Sequence, residues 1–273
     1  MVKAKAFAAG TIVNALAALK GVAFALNLKT TVRFIPGKES DFENKALGCV
    51  AKKVFRSLKI DGKVKVESEI PRRGGLGSSS AVVNALICAA YKYLNKELEA
   101  HSILRANARI SLECGMSYTG AFDDASASLL GGVVFSDNAK MKLFKRETLE
   151  GKVAVLIPDW ERGNVDLRKI RERREEVERA FKLAMKGKIR EAMYVNSYEY
   201  CQALNLPFEP VSIAYNLGLN AGLSGNGPSY VAFGENVKDV KSLWESFGKV
   251  ILVDIVSVPA EKVKIENSLF IQT

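Results

Sequence analysis

One glycine- and serine-rich stretch, residues 71–81 (Pro-Arg-Arg-Gly-Gly-Leu-Gly-Ser-Ser-Ser-Ala), constrains this chain more than any other feature. Residues 64–69 before it alternate apolar and polar side chains, and residues 81–94 after it repeat apolar side chains at helical spacing. The first pattern predicts a strand and the second predicts a helix. The stretch is therefore predicted to be a loop that leads from a strand into the start of a helix.

This loop has the properties of a phosphate-binding loop. Its glycines have no Cβ to obstruct an approaching anion. The first turn of a helix leaves backbone N–H groups unpaired at the positive end of the helix dipole, which makes it a ready phosphate site. The alternative interpretation is an ordinary turn followed by a helix N-cap. The loop matches neither the Walker A pattern nor the dinucleotide fingerprint.

Composition sets broad limits. A chain of 273 residues can bury a substantial core as one large or two small domains. Its 48% hydrophobic and 26% charged residues are ordinary for a soluble enzyme. The net charge of +10 favours anionic partners, which include nucleic acid, a membrane surface and small phosphorylated or carboxylated substrates. Charge alone does not choose among them.

The cysteines and the single histidine narrow the chemistry. Cys49, Cys88, Cys114 and Cys201 are scattered without a C-x-x-C pair, so neither a zinc site nor a disulfide framework is predicted, and a reducing cytoplasm is expected. His101 is predicted to be a surface residue of a helix.

The apolar N-terminal run is interrupted by polar residues and is expected to be a retained, folded segment rather than a secretory signal. No uninterrupted apolar run approaches the roughly 20 residues that span a bilayer.

Hydrophobic periodicity and turn residues predict the remaining elements. The order is a strand at 3–9 with a turn at 10–14, helices at 41–58 and 96–114, a helix through Leu130, a strand at 153–158, a charged helix at 166–186, a strand at 230–233, a helix at 239–247, and strands at 250–256 and 261–265.

Carboxylates cluster in the stretch from Glu113 to Asp124, which precedes the Gly131-Gly132 pair. The adjacent Asp123 and Asp124 would repel each other unless they were solvated or balanced by cations. One of them could cap a helix. Alternatively, phosphoryl transfer to an alcohol needs a metal to neutralise charge and commonly uses a carboxylate near the hydroxyl.

A second glycine-rich stretch, residues 221–229 (Ala-Gly-Leu-Ser-Gly-Asn-Gly-Pro-Ser), permits close backbone approach to a ligand, with a plain loop as the alternative. The charged segment at 166–186 interleaves both signs, which is typical of a solvated helix face with weak ion pairs. Near its start, Arg162 or Arg168 could reach a substrate carboxylate, because a guanidinium fork matches that group.

These motifs together resemble the GHMP kinases, the superfamily of galactokinase, homoserine kinase, mevalonate kinase and phosphomevalonate kinase. Pro-x-x-x-Gly-Leu-Gly-Ser-Ser-Ser-Ala resembles their phosphate loop, and Gly-Leu-Ser-Gly-x-Gly-Pro-Ser resembles the archaeal-type shikimate kinases within the superfamily. The resemblance implies an α+β, two-domain fold. It consists of an N-terminal ATP-binding domain at 1–150 and a C-terminal ferredoxin-like domain at 151–273, with the active site between them.

The resemblance also implies the reaction and the residues that perform it. The expected activity is Mg²⁺-dependent transfer of phosphate from ATP to the 3-hydroxyl of shikimate. The resemblance assigns the base to Asp124, which is separated from the Gly131-Gly132 pair by six residues, with Asp123 as the fallback. It assigns Mg²⁺ binding to Ser79 and to Glu113, which lies eleven positions before the base. Asp124 would also contact the acceptor, together with Thr11, Asn14 and Lys20. The ATP phosphates would be held by Arg73, Gly74, Gly75, Leu76, Gly77, Ser78, Ser79, Ser80 and Gly225.

Three alternatives remain open. One is a GHMP kinase for homoserine or mevalonate, although the N-terminus lacks the P-G-K-x-x-L-x-G-E-H opening of mevalonate kinases and galactokinases. Another is a nucleic-acid-binding protein that uses the arginine-rich helix, which predicts steeply salt-dependent binding. The third is a non-catalytic member of the fold. The favoured interpretation has small-molecule partners only, with neither nucleic acid nor membrane, in a monomer or homodimer.

Overall fold

The computed structural model describes residues 1–37 and 44–272, and its strands form two sheets in which neighbouring strands run antiparallel. The first sheet is five-stranded, and its long second strand pairs with three others. It contains β1 (Val2–Val13), β2 (Lys20–Pro36), β3 (Gly62–Ser68), β4 (Val133–Asp137) and β5 (Lys142–Glu147). The second sheet, in the order β7-β8-β6-β9, contains β6 (Lys152–Pro158), β7 (Asn220–Leu223), β8 (Tyr230–Phe233) and β9 (Gly248–Asp254).

Helices pack against both sheets. The helices are α1 (Ala15–Ala18), α2 (Lys45–Leu58), α3 (Ser78–Tyr93), α4 (Ala100–Glu113), α5 (Phe122–Leu130), α6 (Leu167–Arg171), α7 (Arg174–Met185), α8 (Ile189–Leu204), α9 (Glu209–Asn216) and α10 (Asp239–Trp244), and a 3-10 turn follows at Asn267–Leu269. Helices α3 and α5 contact β1 and β2, whereas α8 contacts β7 and β1. Within the described residues, no helix has both the length and the apolar composition to cross a membrane.

Helix α3 lies at the centre of the first unit, which is the part of the chain built on the five-stranded sheet. The second unit is the part built on the four-stranded sheet. Its sequence is apolar on nearly every side, as expected for a helix that is covered all round. Sheet β1–β2 covers one side of it, and α4 and α5 cover others. One continuous hydrophobic cluster extends from these elements into the second sheet, where the rings of Phe24 and Phe233 lie 5.1 Å apart. The phosphate-loop helix is therefore rigidly held from several directions.

The last residues of the chain return to the first sheet. The N–H of Val256 donates to the carbonyl of Ala25 at 3.1 Å, and the N–H of Ile271 donates to the carbonyl of Leu143 at 2.8 Å. Arg146 secures this segment by donating to the carbonyls of Gly131, Leu130 and Ser257. The first sheet ends at Glu147 and the second begins at Lys152, but residues 255–271 bond to the first unit. The division into domains at 1–150 and 151–273 stays a prediction.

Several predicted elements need correction. The strand predicted at 3–9 with a turn at 10–14 is one strand to Val13, because its pairing with β2 continues through the small residues of the expected turn. The strand predicted at 261–265 is not formed, because this segment instead docks on the first unit through a single bridge to Glu99. The helix predicted at 96–114 begins at Ala100. The helix predicted at 41–58 is described from Lys45, and residues 41–43 lie outside the described residues.

The charged segment at 166–186 is two short helices rather than one. Helix α6 ends at Arg171, and α7 starts at Arg174. The interleaved charges form ion pairs along the surface, such as Arg174 with Glu178 at 3.1 Å and Arg179 with Glu176 at 2.7 Å. This confirms the interpretation of a solvated helix face with ion pairs.

The cysteine prediction was wrong, because the structure contains a disulfide between Cys49 of α2 and Cys114 at the end of α4. The two residues are separated by 65 positions, so sequence spacing gave no reason to pair them. Packing of α2 against α4 brings the two cysteines together. Cys88 and Cys201 are buried free thiols.

Candidate active site

A cavity of about 880 Å³ lies where the glycine-rich loops of the two units meet. The phosphate loop, the start of α5 and the loop 225–226 line it, together with residues of the N-terminal strand, α1, α2 and β3 and the segment 115–119. The cavity brings together several of the predicted site residues, including Thr11, Asn14, Ser79, Asp124 and Gly225. The predicted ATP-binding residues 73–80 also line it.

The start of α3 lies in the wall of the cavity. Helix α3 begins at Ser78, as predicted, and its N-cap is Gly77 in the left-handed region at φ 67°. Glycine has no side chain with which to cap the first turn, so the N–H groups of that turn remain available to a ligand. The first turn has the positive end of the dipole of a 16-residue helix behind it. An ordinary side-chain N-cap, the alternative considered for this loop, is not what the helix uses.

The two glycine-rich loops are in direct backbone contact. The Ser224 hydroxyl donates to the carbonyl of Gly75 at 2.9 Å, and the N–H of Ser229 donates to the carbonyl of Gly74 at 3.2 Å. Gly75 has φ 77°, and a Cβ there would stand 2.1 Å from the carbonyl oxygen of Ser224. The shape of the phosphate loop therefore depends on the loop of the second unit, and only glycine fits at position 75.

Two adjacent carboxylates stand at the start of α5. The N-cap of this helix is Ala121, so Asp123 and Asp124 lie within the first turn and neither caps it. Asp123 is almost fully buried and accepts a hydrogen bond from the Asn138 amide at 2.9 Å. A Cβ at Gly21 would overlap the Asp123 carboxylate, so the glycine makes room for it. Asp123 is thus fixed in place, whereas the half-buried Asp124 lines the cavity with no side-chain hydrogen bond from a described residue.

The two carboxylates influence each other electrostatically. Burial raises the pKa of Asp123, and hydrogen bonds from Asn138 and from backbone N–H groups partly oppose this. Burial, and then the neighbouring charge of Asp123, raise the pKa of Asp124 well above its usual range. A carboxylate with a raised pKa is a stronger proton acceptor than one free in water. This arrangement suits Asp124 to act as a general base.

Helix α8 holds the part of the cavity wall that contains Asn14. Asn14 caps α1 by accepting from the N–H of Leu16, and its amide donates to Asn226 at 2.9 Å. Its backbone N–H donates to Asn196, and its carbonyl accepts from the Tyr200 hydroxyl. Thr11 accepts from the N–H of Gly225 at 2.8 Å. Thr11 and Asn14 therefore connect the N-terminal strand to both α8 and the second glycine-rich loop.

Two predicted site residues are not brought to the cavity wall. Lys20 begins β2 and is not among the described residues that line the cavity. Glu113 lies at the exposed end of α4 in an ion pair with Lys53, and it also lies outside the lining. The structure therefore does not place Glu113 beside Ser79, and their joint role in holding Mg²⁺ stays a prediction.

Several polar residues of the site region were missed by the sequence analysis. Asn138 bonds to the Asp123 carboxylate, and Asn196 and Tyr200 bond to the backbone of Asn14. The buried Asn84 and Asn107 lie behind the loop. One signal was available, since a polar residue inside an apolar helix such as α3 must find a buried partner. The partner itself depends on how the helices pack.

Solved structures share this architecture. The mevalonate kinase of Methanococcus jannaschii aligns with a TM-score of 0.71 at 16% identity, over 94% of this chain and 98% of that one. A homoserine kinase from Cytophaga hutchinsonii aligns with a TM-score of 0.66 at 16% identity, over 94% and 96%. Residues 44–132, which include the phosphate loop and both aspartates, match the family model described as GHMP kinases N terminal domain. The fold and the site thus define the class as the GHMP kinases.

Sequence similarity identifies the family within that class. A shikimate kinase of Archaeoglobus fulgidus is 47% identical over 99% of this chain and 98% of its own length. Shikimate kinases of Methanocella arvoryzae and Pyrococcus furiosus are 40% and 35% identical over 92% and 91% of this chain. The chain belongs to the archaeal shikimate kinase family of GHMP kinases.

Proposed function

We propose that this protein transfers the γ-phosphate of ATP to the 3-hydroxyl of shikimate. The observation that carries the proposal is that Asp124 and the uncapped start of α3 line the same cavity. The relatives from Archaeoglobus fulgidus and Methanocella arvoryzae, which align over 99% and 92% of this chain, are named shikimate kinases. An enzyme of this kind has a nucleotide and a small carboxylic acid as its partners.

The residues divide the reaction between them. The N–H groups at the start of α3 and the loop glycines bind the phosphates of ATP, which need several fixed donors. Asp124 accepts the proton of the acceptor hydroxyl while the hydroxyl oxygen attacks the γ-phosphorus and ADP leaves. Asp123 stays fixed by Asn138 and keeps the pKa of Asp124 raised. Each group thus acts on a different atom of the transfer.

Mg²⁺ is proposed as the metal of this site, because phosphoryl transfer needs a cation that neutralises the ATP phosphates. Mg²⁺ commonly binds one or two protein groups along with substrate phosphates and water. The Ser79 hydroxyl lines the cavity and fits this role. Glu113 is paired with Lys53 through one carboxylate oxygen and lies outside the cavity lining, so its movement toward the metal belongs to the proposal.

The acceptor assay tests the proposal directly. Purified protein is given ATP and Mg²⁺ with shikimate, homoserine or mevalonate separately, and ADP release is measured. We expect metal-dependent turnover with shikimate at least roughly 100-fold above the other two acceptors, since a site built to pair with one set of hydroxyls rejects analogues that lack them. Preference for another acceptor would keep the kinase chemistry and overturn the substrate. No turnover with any of the three would overturn the proposal.

Arg162 is proposed to bind the carboxylate of shikimate. It lines the cavity, whereas Arg168 is almost fully exposed and lies beside Asp166. Hydrogen bonds to charged groups contribute about 1.5–3 kcal/mol. We therefore expect Arg162→Ala to raise the KM for shikimate roughly 10- to 100-fold while the KM for ATP changes little. Arg168→Ala is the matched control, and an equal rise in KM in both variants would show that only net charge matters.

A further inference from the structure

Two buried asparagines join the three helices that surround the phosphate loop. Asn84 of α3 and Asn107 of α4 are both fully buried. The Asn107 amide donates to the carbonyl of Ser80 at 2.9 Å and to the Asn84 side-chain oxygen at 2.7 Å. The Asn84 amide in turn donates to the carbonyl of Ala125 in α5 at 2.8 Å. Both N–H groups of Asn107 and one of Asn84 are thereby used.

The two ends of this network lie at the two halves of the proposed reaction. Ser80 is the last serine of the phosphate loop and follows Ser79 directly. Ala125 follows Asp124 directly in the first turn of α5. Two side-chain amides therefore connect the backbone that binds the donor phosphates to the backbone that carries the proposed base.

The Asn107 amide also has a partner on the cavity side. The Ser111 hydroxyl, one helical turn beyond Asn107 on α4, donates to the Asn107 side-chain oxygen at 3.0 Å. Ser111 lines the cavity, whereas the two asparagines lie behind it. Because the Ser80 carbonyl can only accept a hydrogen bond, the nitrogen of the Asn107 amide must face Ser80 and Asn84, which leaves the oxygen to accept from Ser111.

Stability alone does not account for these amides. A buried hydrogen bond adds only about 1 kcal/mol net, because the same groups bond to water in the unfolded chain. Replacing both partners of a buried hydrogen bond by apolar residues of the same shape often leaves the stability of the protein nearly unchanged. Directional hydrogen bonds instead fix distances between elements, and a misplacement of about 1 Å in an active site can cost roughly 100-fold in rate.

We propose that Asn84 and Asn107 are positioning residues that set the distance between the phosphate loop and Asp124. This role rests on the proposed function, and neither asparagine touches a substrate. Their loss leaves both substrates bound but no longer aligned for transfer. It therefore acts on kcat and spares the KM values.

The test replaces Asn107 by leucine, which has a similar volume and cannot donate. We expect kcat with shikimate to fall roughly 10- to 100-fold, with the KM values for ATP and shikimate within about threefold of wild type. Ile103→Ala is the matched control, because Ile103 is fully buried on the same helix but bonds through packing alone. It should lower the melting temperature and leave kcat near wild type at temperatures where it stays folded.

A second variant guards against misfolding of the first. Asn84→Ala removes both the donor to the Ala125 carbonyl and the oxygen that accepts from Asn107, while the bond from Asn107 to the Ser80 carbonyl remains. The double variant should lose little more kcat than either single one, since both act through one network. Wild-type kcat in a folded Asn107→Leu or Asn84→Ala protein would overturn the positioning role. So would a loss of kcat in Ile103→Ala equal to theirs. An inactive wild type would instead overturn the proposed function, so the two failures are distinguishable.

Discussion

Replacing Asp124 by asparagine should lower kcat by roughly 10²- to 10⁴-fold, the usual contribution of a positioned general base. Asparagine keeps the shape of the side chain but cannot accept the hydroxyl proton. Since the N–H groups of the phosphate loop are untouched, the KM for ATP should stay close to wild type. Steady-state kinetics with ATP, Mg²⁺ and shikimate measure both quantities, and wild-type-like turnover would remove Asp124 from the mechanism.

The folded state should tolerate this change. Burial and the charge of Asp123 raise the pKa of Asp124 above its value in the unfolded chain. For a carboxyl group with a raised pKa, the stability present below the unfolded pKa is lost as pH rises through the folded pKa. At neutral pH the ionised group therefore costs stability, and Asp124→Asn should unfold at the same or a higher denaturant concentration than wild type. Unfolding at a clearly lower concentration would assign the lost activity to misfolding.

The neighbouring aspartate provides the control that separates the two carboxylates. Asp123→Asn removes the charge that helps to raise the pKa of Asp124, so the acidic limb of the kcat/KM profile should move to lower pH. Because Asp124 is retained, turnover should remain well above that of Asp124→Asn. If Asp123→Asn were the less active of the two, the fallback assignment of the base to Asp123 would be correct.

The sequence predicted those parts of the site that depend on local rules. The strand, glycine loop and helix around Ser78 follow from periodicity and from glycine chemistry, and the structure starts α3 at that residue. The α+β fold class followed from the resemblance carried by three glycine-rich or acidic motifs. Each of these motifs spans few residues, so no tertiary contact was needed to find it.

Tertiary contacts decide what the sequence could not predict. The pairing of Cys49 with Cys114 and the ion pair of Glu113 with Lys53 both depend on how α2 packs against α4. Arg146 helps to hold residues 255–271 on the first sheet, because it donates both to the adjacent carbonyls of Leu130 and Gly131 and to the carbonyl of Ser257, which lies 111 positions further along the chain. Counting positions from a motif places a residue on the chain, but it does not show which way the side chain points.

The second large effect on activity is expected from a substitution at the contact between the phosphate loop and the second glycine-rich loop, residues 221–229. Gly75→Ala places a methyl group 2.1 Å from the Ser224 carbonyl oxygen and 3.0 Å from that of Gly227. Both obstacles are backbone atoms, so no side-chain rotation relieves the overlap. The positive φ of 77° adds a cost of about 1–2 kcal/mol for any residue with a Cβ. The two loops must separate, and the phosphate-binding N–H groups move with them.

This movement should lower kcat/KM for ATP by roughly 10²- to 10³-fold, since displacements near 1 Å already cost about 100-fold. Gly74→Ala is the graded control in the same loop, because its added methyl meets the Ser229 hydroxyl at 3.0 Å and its φ is outside the left-handed region. The loss of kcat/KM for ATP in Gly74→Ala should be at least roughly tenfold smaller than in Gly75→Ala, because a hydroxyl can rotate away where a backbone carbonyl cannot. Equal losses in both variants would mean that any methyl group in this loop blocks ATP directly. In that case contact with the second loop would not be what shapes the phosphate site.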